Sequence, residues 1–152
     1  MKRRGSGIIV GIVVIALAIG AYLVTTYNSL ASAENDVDAK WSQVENVMQR
    51  RADLIPNLVN SVKGSMNHEE KLVKEITDAR KAYNNAKTPS EKNDANNQID
   101  QSLGTMVNVI QESYPTLASN ENVKTLMVQL EGTENRISVE RKNYIEQVND
   151  YN

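Results

Sequence analysis

Any chemistry in this chain would have to be done with a narrow set of side chains. His68 is the only histidine, and there is no cysteine. One imidazole cannot supply the paired Glu-x-x-His motifs of a di-iron bundle or the two histidines of an HExxH zinc site. The missing thiol removes cysteine nucleophiles, disulfides, iron–sulfur ligation and a lipidated cysteine. Seven glycines are spread along the chain without the spacing of a phosphate-binding or dinucleotide loop. A Ser–His–Asp arrangement would have to recruit His68, which stands beside Glu69 and Glu70 at a helix junction and reads as a turn residue. The abundant carboxylates fall on helix faces expected to be solvated. The expectation is therefore no catalytic, cofactor-binding or metal-ligating residue.

Charges that interrupt apolar stripes are more informative. Glu134 and Arg141 fall on a stripe otherwise made of Val123, Met127, Leu130, Ile137, Tyr144, Val148 and Tyr151. Arg51 lies beside the stripe of Val44, Met48, Ala52 and Ile55. An uncompensated buried charge costs several kcal/mol, so such groups must find partners on neighbouring helices. An Arg51–Glu134 bridge and an acidic partner for Arg141 are expected, fixing register between helices. Trp41 at helical spacing reads as core packing.

These residues must be positioned by helices. After Val37, apolar or small residues recur every three or four positions through Trp41, Val44, Met48, Ala52, Ile55, Val59, Val62 and Met66, close to a heptad repeat. The first helix is expected to end near Gly64 as a C-terminal cap, with a bend at Asp53–Pro56 because Pro56 has no backbone N–H to donate. A second helix fits Glu69–Lys87, with Leu72, Ile76, Ala79, Tyr83 and Ala86 inward. Thr88-Pro89-Ser90 breaks the chain and supplies a cap. A third helix spans about Ser90–Ser113 and stops at Tyr114-Pro115. A fourth runs from Ser119 or Asn120 to the last residues. No strand-type alternation and no internal repeat is present. Short connections between amphipathic helices imply antiparallel neighbours. The expected fold is all-α, an N-terminal transmembrane helix continuing into an elongated antiparallel (up-down) four-helix bundle.

Ahead of it lies a different kind of segment. Ile8–Val24 contains no charged residue and nothing more polar than Tyr22. With Gly7 and Thr25–Thr26 added, the helix comes near the ~30 Å hydrocarbon thickness of a bilayer. Ala31-Ser32-Ala33 has the small-x-small form of a signal-peptide cleavage site, but the apolar run exceeds the usual ~7–15 residues and the site lies well past its end. Retention as an anchor is expected, giving a basic cytoplasmic N-terminus at 1–7, a transmembrane helix at 8–26 and a helical domain at 27–152. Lys2, Arg3 and Arg4 precede the span, while Glu34, Asp36 and Asp38 follow it, so the positive-inside rule places the domain outside the cytoplasm. Gly7-x-x-x-Gly11 and Ala16-x-x-x-Gly20 are compatible with close packing of two spans, hence with a homo-oligomer, although ordinary span composition explains them.

The composition agrees with this division. The chain is 40% hydrophobic, yet the anchor holds much of that, leaving a domain with one Trp and no Phe. So thin a core suits helices sharing a narrow seam. Of the 17 basic residues three precede the span, and the others stand against 19 acidic residues, leaving the domain near −5. Phosphate contacts need a basic face, so nucleic-acid binding is not expected.

Two blocks carry a resemblance. The first is Trp41-Ser-Gln-Val, Arg50-Arg51-Ala-Asp53-Leu54-Ile55-Pro56-Asn57-Leu58-Val59, Val62-Lys63-Gly64 and His68-Glu69. The second is Glu112-Ser113-Tyr114-Pro115, Leu117, Asn120-Glu121-Asn122 and Leu130-Glu131-Gly132-Thr133-Glu134-Asn135-Arg136-Ile137, continued by Arg141, Tyr144 and Tyr151-Asn152. From about Tyr27 onward the chain resembles the LemA family of bacterial membrane proteins. The resemblance implies one N-terminal span and an antiparallel helical bundle, without any catalytic residue to carry over. Val123 departs from the Phe frequent in the family, and relatives usually continue beyond the equivalent of Asn152 with an apolar, aromatic-containing tail.

Together these readings lead to an expected role as a non-enzymatic scaffold or adaptor of the bacterial cell envelope, single-pass in the cell membrane. Its partners would be the lipid bilayer through residues 8–26 and other envelope proteins. The alternative is an accessory subunit or substrate adaptor of an envelope protease or hydrolase. Candidate partner contacts are Asp53, Pro56 and Asn57 at the bend, and Tyr114, Pro115, Asn120 and Asn122 at the last turn. These stretches concentrate polar and special-backbone residues that packing alone does not demand.

Overall fold

The structure is a computed structural model; it describes residues 3–152, with side chains from Gly7 onward. Met1 and Lys2 of the basic N-terminus fall outside the described residues. Every regular element among the described residues is a helix: α1 (Arg3–Val62), α2 (Glu70–Asn85), α3 (Pro89–Ser113), α4 (Pro115–Ala118) and α5 (Glu121–Tyr151).

α1 is one continuous helix of 60 residues. At 1.5 Å per residue it is about 90 Å long. Its N-terminal part is a candidate membrane span, with mean hydropathy 2.8 over an 18-residue window and none of that window buried in the protein. Ile12, Leu17 and Leu23 are all exposed there. A continuous sleeve of uncovered aliphatic side chains of this length fits an apolar medium such as a bilayer interior.

The core begins further along. Val44, Met48, Ala52, Ile55, Leu58 and Val62 of α1 meet Ile76 and Tyr83 of α2, Ile99, Met106 and Ile110 of α3, and Val123, Leu130 and Ile137 of α5. α5 packs along α1 and α2 along α3, with α2 also touching α1. α5 runs back along α1, since Arg51 meets Glu134 and Trp41 stacks edge-on against Tyr144 with centroids 5.4 Å apart. The expected heptad register drifts: Leu58 is fully buried while Val59 is only half-buried, and Thr133 takes the inward place expected of Glu134. A straight helix loses about 20° per heptad against a 3.5 repeat, enough to hand the inward position to a neighbour.

The ends are set by local chemistry. α1 does not close on a left-handed Gly64, because no described glycine has positive φ. The chain instead turns tightly, with the N–H groups of Ser65 and Met66 both donating to the Val62 carbonyl. The Met66 side chain folds into the core. Thr88 caps α3 in a reciprocal box with Glu91. The Lys87 and Thr88 backbone N–H groups hold the Glu91 carboxyl below its ordinary range. Tyr114-Pro115 was expected only to stop α3, yet Pro115 opens the short α4, which buries Leu117. Proline's fixed φ is already that of a first helical residue. The Asn120 side chain then accepts from the N–H groups of Asn122 and Val123 to start α5.

Pro56 does not break α1. Without an N–H at 56, the Ala52 carbonyl loses its helical donor, and Arg80 of α2 replaces it, donating Nε at 2.9 Å. Leaving a buried acceptor unpaired costs about 1–3 kcal/mol, so Arg80→Met should destabilise the protein by that amount. In a Pro56→Ala background, where the helix supplies its own donor, the same change should cost little. Equal costs in both backgrounds, measured by chaotrope unfolding, would dismiss this role for Arg80.

Candidate functional site

The Arg51 side chain is fully buried among α1, α3 and α5. It gets there because the helical repeat turns position 51 inward between Met48 and Ile55. One terminal nitrogen is paired with the Glu134 carboxylate of α5 and the other with Asp100 of α3. The latter also lies 3.4 Å from the Asn96 carbonyl oxygen. Three helices are thus tied by one planar guanidinium, whose fork of donors suits several acceptors at once. Burial draws the Arg51 pKa below its ordinary value, Glu134 opposes this, and the positive charge of Arg141 adds to the lowering.

The carboxylates are less enclosed than the guanidinium. The Asp100 side chain is 28% exposed and that of Glu134 49%. Glu134 reaches in from the rim, consistent with Thr133 holding the inward place beside it. Around the pair, Arg51 Nε, both amide atoms of Asn96 and Arg141 Nε are buried with no hydrogen-bond partner among the described residues. Arg141 does not meet the acidic neighbour expected for it among the described residues: it lies instead 3.4 Å from the Asn97 side-chain oxygen. Asp100, one turn along α3, is already engaged by Arg51.

The sequence reading missed Asp100 and Asn96. Their i, i+4 spacing beside Ala95 and Ile99 was the available signal, since a buried guanidinium needs more than one acceptor. An open groove of about 710 Å³ between α3 and α5 was missed as well. Leu103, Val107, Met127 and Leu130 line it, and its acidic end, Asp100 and Glu134, adjoins Arg51.

A second polar junction ties α2 to α1 and α3. The buried Tyr83 hydroxyl donates to the Glu45 carbonyl at 3.3 Å. Lys92 lies 4.4 Å over the Tyr83 ring and 3.5 Å from the Glu45 carboxylate. Burial, with Glu45 and Asp53 adding to it, pushes the Tyr83 hydroxyl from 10.0 up to about 12. Because the fold favours the neutral phenol, the stability this contributes is complete below pH 10.0 and is lost as pH climbs towards 12. Tyr83→Phe should remove that alkaline loss while costing about 1 kcal/mol near neutrality for the missing hydrogen bond. Unfolding midpoints compared at neutral and alkaline pH provide the check; parallel alkaline declines in both proteins would contradict it.

The candidate partner residues occupy two separate places. Asp53 and Asn57 are exposed on α1 with Pro56 half-buried between them. Asp53 accepts from Gln49 Nε2 at 2.9 Å. Tyr114, Pro115 and Asn120 line a shallow depression together with Ser65 and Leu117, to which the Asp53–Asn57 stretch contributes nothing. Asn122 is exposed in the first turn of α5, and Asn120 serves as that helix's cap. His68 is exposed, and no group of three or more metal-ligating His, Cys, Asp or Glu side chains occurs among the described residues.

No curated protein matches the chain. A family model does, that of the LemA family, over residues 40–152. The match takes in Trp41, the Arg51 node with Asp100 and Glu134, the Pro56 turn of α1 and the Tyr114–Asn122 connection. It covers most of the chain and leaves out residues 1–39, the basic N-terminus, the apolar segment and the stretch that follows it. By that match the chain belongs to the LemA family.

Proposed function

We propose that this chain is a membrane-anchored, non-enzymatic helical scaffold or adaptor of the bacterial cell envelope. The observation that carries the reading is the continuity of α1, in which one helix supplies both the apolar segment and a wall of the domain core. A domain joined in this way is presented at a set height and angle, as a scaffold requires. The return of α5 along α1 and the pairing of α2 with α3 support an up-down antiparallel four-helix bundle. The charge difference across the span supports a cytoplasmic N-terminus with the domain outside. The exposed surfaces at Asp53–Asn57 and Tyr114–Asn122 are where partner proteins would dock.

Photo-crosslinking amino acids at Asn57 and Asn122 in the full chain in cells test this directly. Recovery of several envelope proteins supports a scaffold. Recovery of a single protease or hydrolase favours the accessory-subunit reading, and no site-dependent adduct at either position counts against both. A reporter enzyme fused after Asn152 that is active only in the cytoplasm would overturn the orientation.

A further inference from the structure

At the opposite end of the domain from the Tyr114–Asn122 connection, the last turn of α5 comes down beside the emerging part of α1. Asp150 and Tyr151 share a shallow notch with Thr25, Thr26, Leu30 and Ala33. The height of that notch can be read from charge. Between Arg4 and Glu34 there is no charged residue. As helix this interval is roughly 45 Å, against about 40–45 Å for a whole bilayer including its headgroup layers. The apolar run ends at Val24 and the assigned span at Thr26, so Tyr27–Ala33 coincides with one headgroup layer. The tip of α5 lies at that level. Its side chains suit the place: Tyr27 is 73% exposed, Leu30 51% and Tyr151 37%. Tyrosine favours the bilayer interface because its ring is apolar and its hydroxyl wet.

We propose that the domain is seated directly on the bilayer, with Tyr151 of α5 and Tyr27 and Leu30 of α1 forming an interfacial lipid contact beside the span. The inference rests on the anchoring reading and adds a second point of attachment, contributed by Tyr151 of α5. A domain near −5 gains nothing from an anionic surface, so the partner is a zwitterionic headgroup layer. The last turn of α5 embedded beside the continuous α1 restricts the domain's swivel about the span axis, which a single helix crossing the surface would not.

Tryptophan quenching in the full chain tests it. Trp41 lies about 21 Å beyond Tyr27 along α1, clear of the headgroups. In vesicles of phosphatidylcholine brominated near the headgroup end of its acyl chains, wild-type emission should be unaffected. In a Trp41→Phe background, Tyr151→Trp should lose emission and shift to the blue, as should Leu30→Trp. Leu17→Trp in the same background, with bromines deep in the chains, tests anchoring independently. Quenching at 17 and 30 but not at 151 would overturn the seating while leaving the anchor intact. No quenching at 17 would overturn the anchor and the seating with it.

Discussion

Arg51→Met is expected to destabilise the domain by about 1–3 kcal/mol, the cost of leaving partly enclosed acceptors without their donor. Methionine fills most of the volume, so the loss comes chiefly from the carboxylates left behind. They should not suffer equally. Glu134, half-exposed, can turn to water, whereas Asp100 is the more enclosed of the two. Asp100→Asn and Glu134→Gln should each be costly for a different reason, since either leaves the fully buried guanidinium with a single carboxylate. Replacing the whole set with apolar side chains, Arg51→Met with Asp100→Leu and Glu134→Leu, should recover most of the stability, since desolvation then falls on no charge. The measurement is chaotrope unfolding of the full chain in detergent micelles, followed by loss of helical circular dichroism. An Arg51→Met protein within about 0.5 kcal/mol of wild type would show that the node contributes no stability.

Asn35→Pro is expected to cost about 3 kcal/mol and to bend α1 between the apolar segment and the core. Asn35 is exposed, but α5 lies beside α1 both below it, at Thr25–Ala33, and above it, at Trp41, so the bend should also pull the end of α5 away from α1. Pairs of introduced cysteines report on it without background, because the chain has none of its own. Spin labels at Leu17→Cys and Gln43→Cys should give a narrow distribution near 39 Å, the helical rise over that interval. The proline should shorten and broaden it. A broad distribution before the proline is introduced would show that α1 does not behave as one rod.

Much of this was legible in the residues because helical packing writes itself as periodicity. Ile76, Ile99, Met106 and Leu130 were placed inward from spacing alone and are buried. Arg51 stood out as a charge beside that pattern, and with Glu134 it gave half of the node. The other half stayed hidden because Asp100 sits beside its stripe rather than on it, and polar residues there usually face water. Arg80 was hidden for a different reason. Its task exists only because Pro56 frees the Ala52 carbonyl, and which side chain fills such a gap depends on how two helices cross. α4 was missed because Tyr114-Pro115 is equally good grammar for stopping one helix and for starting another. Gly64 was over-read, since glycine permits a left-handed turn without requiring one.

On the anchoring reading, the unbroken α1 also makes the protein a gauge of its bilayer. Spans answer changes in bilayer thickness by tilting, over a range of about 0–40° from the normal. From Tyr27 to Val62 the same helix projects about 53 Å, so a 10° change in tilt carries its far end sideways by roughly 9 Å. The Tyr114–Asn122 connection lies at that end. A few ångströms of mismatch in the lipid are converted, without any hinge, into a displacement as large as the spacing between packed helices.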